Sequence, residues 1–272
     1  MRGLSVVYPT DKAEQRAIAR VLRAVQQAKE ACRREAALER ERKAALMEHL
    51  FTHGTRGEAT KQTEIGEMPA SWDVASLEQV TQGMQYGLSI RGKEQGRYSI
   101  LRMNNLVEGF ATTNDLQYVD LEEPTFHRFK LNRGDVLFNR TNSFELVGRT
   151  GLFDIPGEYV FASYLIRVIP DKDRLSPAFL SRYFNWRRTQ DRLKGLASRA
   201  VSQSNISAGK LKSFAIAVSP LEEQQELATL FNVCDAKIAA LEREIALLDE
   251  LFRALLEELM TGGLSAVPLI DD

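Results

Sequence analysis

The chain carries one long amphipathic segment twice, and that repeat limits what it can fold into. The second copy is the more regular. Leu227, Phe231, Cys234, Ile238, Leu241, Ile245, Leu248, Phe252, Leu255 and Leu259 follow one another in alternating steps of four and three residues. That spacing is the seam of a helix that pairs with another helix. A shift of 209 residues lays this segment on the N-terminal one without a gap. Glu223-Gln224 falls on Glu14-Gln15, Arg243-Glu244 on Arg34-Glu35, Ala254-Leu255 on Ala45-Leu46, and Thr261 on Thr52. This is an internal repeat. In the first copy Ile18, Leu22, Val25, Cys32, Leu46 and Leu50 keep the seam, while Lys29, Glu39 and Lys43 interrupt it. Each copy predicts a helix about 57 Å long. A helix of that length needs a partner for its apolar face. An ordinary coiled-coil dimerisation handle would answer that need; a repeat flanking a central domain asks for more.

The net charge of −1 hides a division. Residues 11–56 hold 11 Lys+Arg against 7 Asp+Glu, net +4; residues 72–219 hold 20 against 15, net +5; residues 220–272 hold 3 against 12, net −9. The two helix copies therefore have opposite sign, which favours their pairing. A mildly basic central domain permits a nucleic-acid partner without requiring one. Cys32 and Cys234 fall on the helices near the seam and read as small apolar residues. His49, His53 and His127 are scattered, with no metal-ligand spacing. The sequence has no apolar run of membrane length and no signal peptide, so the expected location is cytoplasmic, with no membrane partner.

The expected organisation has five parts. Residues 1–57 hold the first helix, capped at Thr10 or Asp11 and ended by the glycines of 54–57. Residues 58–71 are polar, with Gly66 and Pro69, and read as a linker. Residues 72–219 form the central domain, residues 220–263 the second helix and residues 264–272 a tail. Within the central domain the pattern is short strands and turns, at 98–103, 110–119, 136–138, 146–154, 159–170 and 211–220. Ser176-Pro177 opens a helix expected to run to about Leu196. The fold class is α/β (α+β): a globular domain flanked by two long coiled-coil-forming helices.

Catalytic constellations are scarce. Gly87 to Lys93 has the G-x-x-x-x-G-K skeleton of a phosphate loop, but Glu94 follows where Ser or Thr should hold Mg²⁺, and the next segment reads as a strand. There is no G-x-S-x-G elbow and no Asn/Asp-Pro-Pro signature of an amino-methyltransferase. The loops offer hydrogen-bonding side chains instead. Tyr86, Arg91 and Lys93 lie near the start of the domain, Arg140, Asn142 and Ser143 directly after an apolar strand, and Arg199 and Gln203 before the last strand. Arg can read guanine and Asn or Gln adenine in the major groove, while Lys and Ser hold phosphates. Polar loop residues also cap and turn backbone, so each one alone is a weak signal.

Taken together, these stretches resemble a half-length specificity (S) subunit of a type I restriction–modification enzyme. PLEEQQELATLF (220–231) and ALLEELMTG (254–262) look like that family's helical region, and AEQRAIARVLRAVQQAKEAC (13–32) with ALMEHLFTHG (45–54) like its other copy. EIGEMPASWDVASLEQV (64–80) resembles the opening of a target-recognition domain; GDVLFNRTNSFELVGRTG (134–151), FASYLIRV (161–168) and SQSNIS (202–207) resemble its body and end. The resemblance implies a subunit without an active site of its own. Each of the family's recognition domains reads one half of a split double-stranded DNA target. The paired helices set the spacer and dock methyltransferase (M) subunits, and restriction (R) subunits can join. S-adenosylmethionine, and ATP with Mg²⁺, are expected only in those partners, so no cofactor is expected in this chain. One recognition domain stands here where the family's full-length pattern has two. Two explanations fit: a half-subunit that pairs as a homodimer or with another S half, its basic and acidic helices pairing between copies, or the C-terminal part of a longer S protein. The rival without a DNA role is a structural coiled-coil dimer carrying a ligand-binding domain. No contact motif transfers from the family, so the DNA-binding candidates remain Tyr86, Arg91, Lys93, Arg140, Asn142, Ser143, Arg199 and Gln203.

Overall fold

A computed structural model describes residues 9–199 and 204–266. Helix α1 (Lys12–His53) starts where Asp11 accepts hydrogen bonds from the backbone N–H groups of Ala13 and Glu14 at 3.1 and 3.4 Å. It ends at Gly54, whose φ of +68° suits a residue without a side chain. A hairpin of β1 (Thr60–Thr63) and β2 (Gly66–Pro69) follows. Next come β3 (Asp73–Ser76), a 3-10 turn over Leu77–Val80 and β4 (Thr81–Tyr86). β5 (Tyr98–Leu101), a second 3-10 turn, β6 (Leu106–Val107), β7 (Phe110–Ala111) and β8 (Gln117–Val119) lead to α2 (Glu123–Phe129). Then come β9 (Val136–Asn139), β10 (Thr141–Asn142), β11 (Thr150–Leu152), β12 (Tyr159–Phe161) and β13 (Leu165–Pro170). The chain closes with α3 (Pro177–Asn185), α4 (Arg187–Leu196), β14 (Ser198–Arg199), β15 (Ser204–Asn205), α5 (Ala208–Lys212), β16 (Ala215–Val218) and α6 (Leu221–Thr261).

Two compact units form: Met1–Ala45 with Phe231–Asp272, and Leu46–Leu230. In the first, α1 and α6 run antiparallel. Ala17 and Ile18 pack with Leu259 and Ala266 at one end, flanked by Val21, Leu22, Leu255 and Met260. Further along, the three polar residues that break the seam of the first copy each meet an opposite charge. Lys29 Nζ lies 2.7 Å from Asp249, Glu39 lies 3.0 Å from Lys237, and Lys43 pairs with Asp235. Arg40 pairs with Glu242, and Lys237 also holds Glu35 at 3.0 Å. The opposite charges of the two helices are thus matched within one chain. The Lys29 ammonium holds the Asp249 carboxyl below its ordinary value, and Lys237 does the same for Glu39. Of the predicted seam, Phe231, Ile238, Leu241 and Leu259 are buried, and Ile245, Leu248, Phe252 and Leu255 half-buried. Leu227 is buried in the second unit. Burial, and Glu244 beside it, push the Cys32 thiol up, so it stays protonated.

The second unit is built on a six-stranded sheet ordered β4-β13-β9-β11-β7-β6, antiparallel except where β11 meets β7. β9 is buried along its whole length and β13 nearly so. Both of their faces are covered, which is why Val136-Leu137-Phe138 reads as a continuous apolar run. Leu137 and Leu165 join Leu101, Phe153 and Phe161 on one side. On the other, Phe138 meets Phe184 of α3 edge-on at 5.9 Å. Smaller sheets, β12-β5-β8, β16-β3 and β10-β15-β14, complete the α+β domain.

The ends of the long helices that belong to this unit are part of its core. Phe51 meets Phe179 and Tyr183 edge-on, 5.7 and 5.3 Å away. Glu223 and Gln224 are fully buried. Glu223 accepts from the Trp72 indole at 2.8 Å and from the Thr55 backbone N–H at 2.8 Å. Gln224 accepts from Ser176 N at 2.7 Å and donates to the carbonyls of Arg174 and Ser219 at 2.9 and 2.8 Å. Trp72 is fully buried at this hub.

Several sequence expectations are corrected. Residues 58–71 are a β-hairpin whose Met68 and Pro69 are buried, not a plain linker. The compact unit takes in residues 46–230, wider than 72–219, because both helix ends supply core. The helix from Ser176 breaks at Trp186, which is extended and donates its indole N–H to Glu48 at 2.8 Å. Residues 159–170 form two strands with a bend at 162–164. Helices α2 and α5 stand where strand or loop was expected. Residues 1–8, most of the tail and Gln203 lie outside the described residues.

Candidate nucleic-acid interface

The candidate surface begins where two backbones touch. After β4, Gly87 lies so close to the bend at 162–164 that a Cβ there would sit 2.3 Å from the Ala162 carbonyl oxygen. Only glycine allows this approach. Leu88 N donates to Phe161 O, and Ser163 N to Leu88 O, each at 2.8 Å. Gly87 and Leu88 are therefore fixed to the sheet by their backbone. The P-loop skeleton of Gly87–Lys93 has this structural use and opens no helix.

Arg140 ties the next segments together. Its guanidinium donates to Ser163 O at 3.3 Å and to Asn205 Oδ1 at 3.2 Å, and lies 4.9 Å from the centre of the Tyr86 ring. Its backbone N–H donates to Tyr164 O at 2.9 Å, and its carbonyl accepts from Ile206 N at 2.9 Å. Asn205 also donates to the Thr141 hydroxyl at 2.8 Å. The Tyr86 hydroxyl accepts from Ala208 N at 2.8 Å. Arg140 is half-buried and engaged on both Nη atoms, so it acts as a clamp between three segments.

β10 pairs with β15, and β15 with β14, which brings Asn142 beside Ser204 and Ser204 beside Arg199. For Arg199 only the backbone is described, and Gln203 falls in the undescribed stretch between these strands. Asn142 accepts from Ser143 N at 2.8 Å and contacts the Met103 sulfur at 3.3 Å. The Ser143 hydroxyl, with Glu145's own backbone N–H the larger cause, holds the Glu145 carboxyl low. Lys93 is exposed and pairs with Asp120 at 3.4 Å. The Arg97 backbone N–H and then Lys93 lower the Asp120 carboxyl. Such exposed pairs contribute little to stability, but they neutralise local charge.

Beside this array lies a cleft of about 490 Å³. Its polar lining includes Arg91, Asn104 and Gln117, and its apolar lining Ile90, Met103 and Tyr164. Tyr164 is 45 % and Ile90 42 % exposed, so the cleft offers apolar as well as polar surface. Asn104 is committed to Asp115 at 3.0 Å. Among the described residues no hydrogen bond or ion pair occupies the side chain of Arg91 or Gln117. The structure therefore gathers Tyr86, Arg91, Arg140, Asn142 and Ser143 on one end of the domain, with Lys93 on its flank. Sequence reasoning missed Gln117, Met103 and Tyr164. Tyr164 was hidden inside an apolar run taken for one strand, and Gln117 inside an extended piece expected over 110–119.

No three metal-ligating side chains converge among the described residues, and none of their helices is long and apolar enough to cross a membrane. Residues 69–250 match the family described as the type I restriction modification DNA specificity domain. The MjaX type I restriction enzyme specificity subunit, so named in Methanocaldococcus jannaschii, is 29% identical over 206 residues, 75% of this chain and 48% of that protein. The EcoKI specificity subunit of Escherichia coli is 27% identical over 199 residues, 70% of this chain and 43% of that one. The chain thus spans about half the length of the relatives it matches. The S subunit structure from M. genitalium aligns with a TM-score of 0.60 at 13% identity, over 92% of this chain and 61% of that chain. The HsdS subunit from Thermoanaerobacter tengcongensis aligns with 0.53 at 20% identity, over 92% and 59%. At those identities the two structures speak for the fold alone.

Proposed function

This chain belongs to the family of type I restriction–modification DNA specificity domains, and on that premise we propose that it reads one half of a split double-stranded DNA target. The observation that carries the proposal is the convergence of residues far apart in sequence on one end of the domain. Arg91 and Gln117 there combine donors and an acceptor with the exposed apolar surface of Ile90 and Tyr164, the mixture that base edges and phosphates require. The chain acts without chemistry of its own. Methyltransferase subunits carrying S-adenosylmethionine, and restriction subunits using ATP with Mg²⁺, act on DNA that it selects.

The paired helices serve as spacer and docking surface. Exposed apolar side chains support that role: Leu38 and Leu247, equivalent positions of the repeat, are 63 % and 65 % exposed in the helical unit. Two like faces suit two copies of one partner. The second half-site is read by another recognition domain, on a second copy of this chain or on another S half. Glu14 and Gln15 support this, since they repeat the Glu223-Gln224 hub, with Glu14 half-buried and Gln15 exposed.

The test is titration of the full chain with a fluorescent duplex at increasing salt. Phosphate-led binding must weaken linearly in log–log form, with a slope of about −0.9 per phosphate contact. Retention that is independent of salt up to roughly 0.5 M would contradict DNA recognition and favour a structural coiled-coil protein with some other ligand.

A further inference from the structure

We infer that Arg91 and Gln117 are the specificity-determining pair of this domain, and that they read a guanine and an adenine of the half-site. This rests on the DNA-recognition reading above and names the residues that carry it. Of the polar side chains on this end of the domain, Arg140 is spent on Ser163, Asn205 and Tyr86. Asn142 is spent on Ser143 and Met103, Asn104 on Asp115, and Lys93 on Asp120. Arg102, also in the cleft, donates to Asp115 Oδ2 at 2.9 Å and to its carbonyl. Arg91 and Gln117 line the same cleft and keep their donors and acceptors unengaged among the described residues.

Gln117 is also held in place. It sits on β8 opposite Ile100 of β5. A Cβ on Gly92 would lie 2.5 Å from the Gln117 Oε1 atom and 2.7 Å from its Cβ. The loop can therefore close on the Gln117 amide only because residue 92 has no side chain. An amide held beside Gly92 and engaged in no hydrogen bond among the described residues has the donor and acceptor that adenine N7 and N6 require; a guanidinium likewise unengaged has the two donors that guanine O6 and N7 require. Met103 and Tyr164 line the same cleft and offer apolar surface beside these bonds.

The experiment uses the full chain and a pool of duplexes with a randomised central segment, sequencing the retained fraction. The unmodified chain should select a motif containing an adenine and a guanine. Gln117→Ala should lose preference at the adenine by about tenfold or more, and Arg91→Ala at the guanine, with the other positions kept. Gln117→Glu, which accepts but cannot donate, should move the adenine preference toward cytosine. Arg140→Ala should weaken binding on all sequences alike. Variants of Arg91 and Gln117 that select the unmodified motif at full strength would overturn the assignment, as would relaxation of one position by Arg140→Ala alone. If the unmodified chain binds duplex but selects no motif, or fails to bind, the recognition reading itself falls and the assignment with it.

Discussion

The two copies of the repeat share residues but not surroundings. Glu223 and Gln224 are fully buried and hold Trp72, Thr55, Ser176, Arg174 and Ser219 through six hydrogen bonds to side chain and backbone. Glu14 and Gln15, their repeat equivalents, are half-buried and exposed, and Gln15 reaches only the Pro9 carbonyl, at 2.8 Å. The same dipeptide is a domain anchor in one place and a helix start in the other. What decides is whether a domain with unpaired N–H groups is folded against it. A buried carboxylate or amide is tolerated only when its partners are present.

The sharpest way to break this comparison is Glu223→Ala. It leaves the Trp72 indole N–H and the Thr55 N–H without their acceptor, a loss of about 3 kcal/mol. Glu14→Ala should change stability by no more than about 0.5 kcal/mol. Denaturant unfolding of both variants checks the pair. Equal effects would mean that the anchor lies elsewhere.

Charge reversal in the helical unit comes next. Lys29→Asp places two carboxylates together at Asp249 and should lower the melting temperature. Adding Asp249→Lys should restore most of the loss, and no recovery would show that Lys29 matters through its aliphatic stem alone. A weaker effect is expected from pH. Asp249 and Glu39 have folded values below their unfolded ones. Their contribution is therefore complete above the ordinary carboxylate range and lost as pH falls through the lowered values, below about 4. Melting curves between pH 7 and 3 should show the decline, smaller in Glu39→Gln. Smallest in stability is Leu247→Ser, which should be near neutral for the chain. In a pull-down with a methyltransferase subunit it should nevertheless weaken capture.

Much of this fold was legible in the sequence, and the rest was hidden for definite reasons. The seam from Phe231 to Leu259 announced itself because periodicity is a local signal. Lys29, Glu39 and Lys43 looked like defects because their partners Asp249, Lys237 and Asp235 lie about two hundred residues away. The β1–β2 hairpin was missed because its strands are short and largely polar, with burial confined to Met68 and Pro69. At the candidate interface, loop chemistry pointed to Arg91 and Asn142, but nothing local reveals that Arg140 is engaged by Ser163 and Asn205. Gln117 stays invisible until β8 is paired with β5 and Gly92 is seen against it. Side-chain availability is a property of the folded surroundings.

The most direct test of the central claim is a genome-wide map of methylated adenines in cells that make this chain as their sole specificity subunit beside a matching methyltransferase subunit. The account predicts a split motif: palindromic if two copies of this chain read its halves, asymmetric if another S half supplies the second domain. The absence of any motif, while the same methyltransferase is active with another specificity subunit, would contradict it.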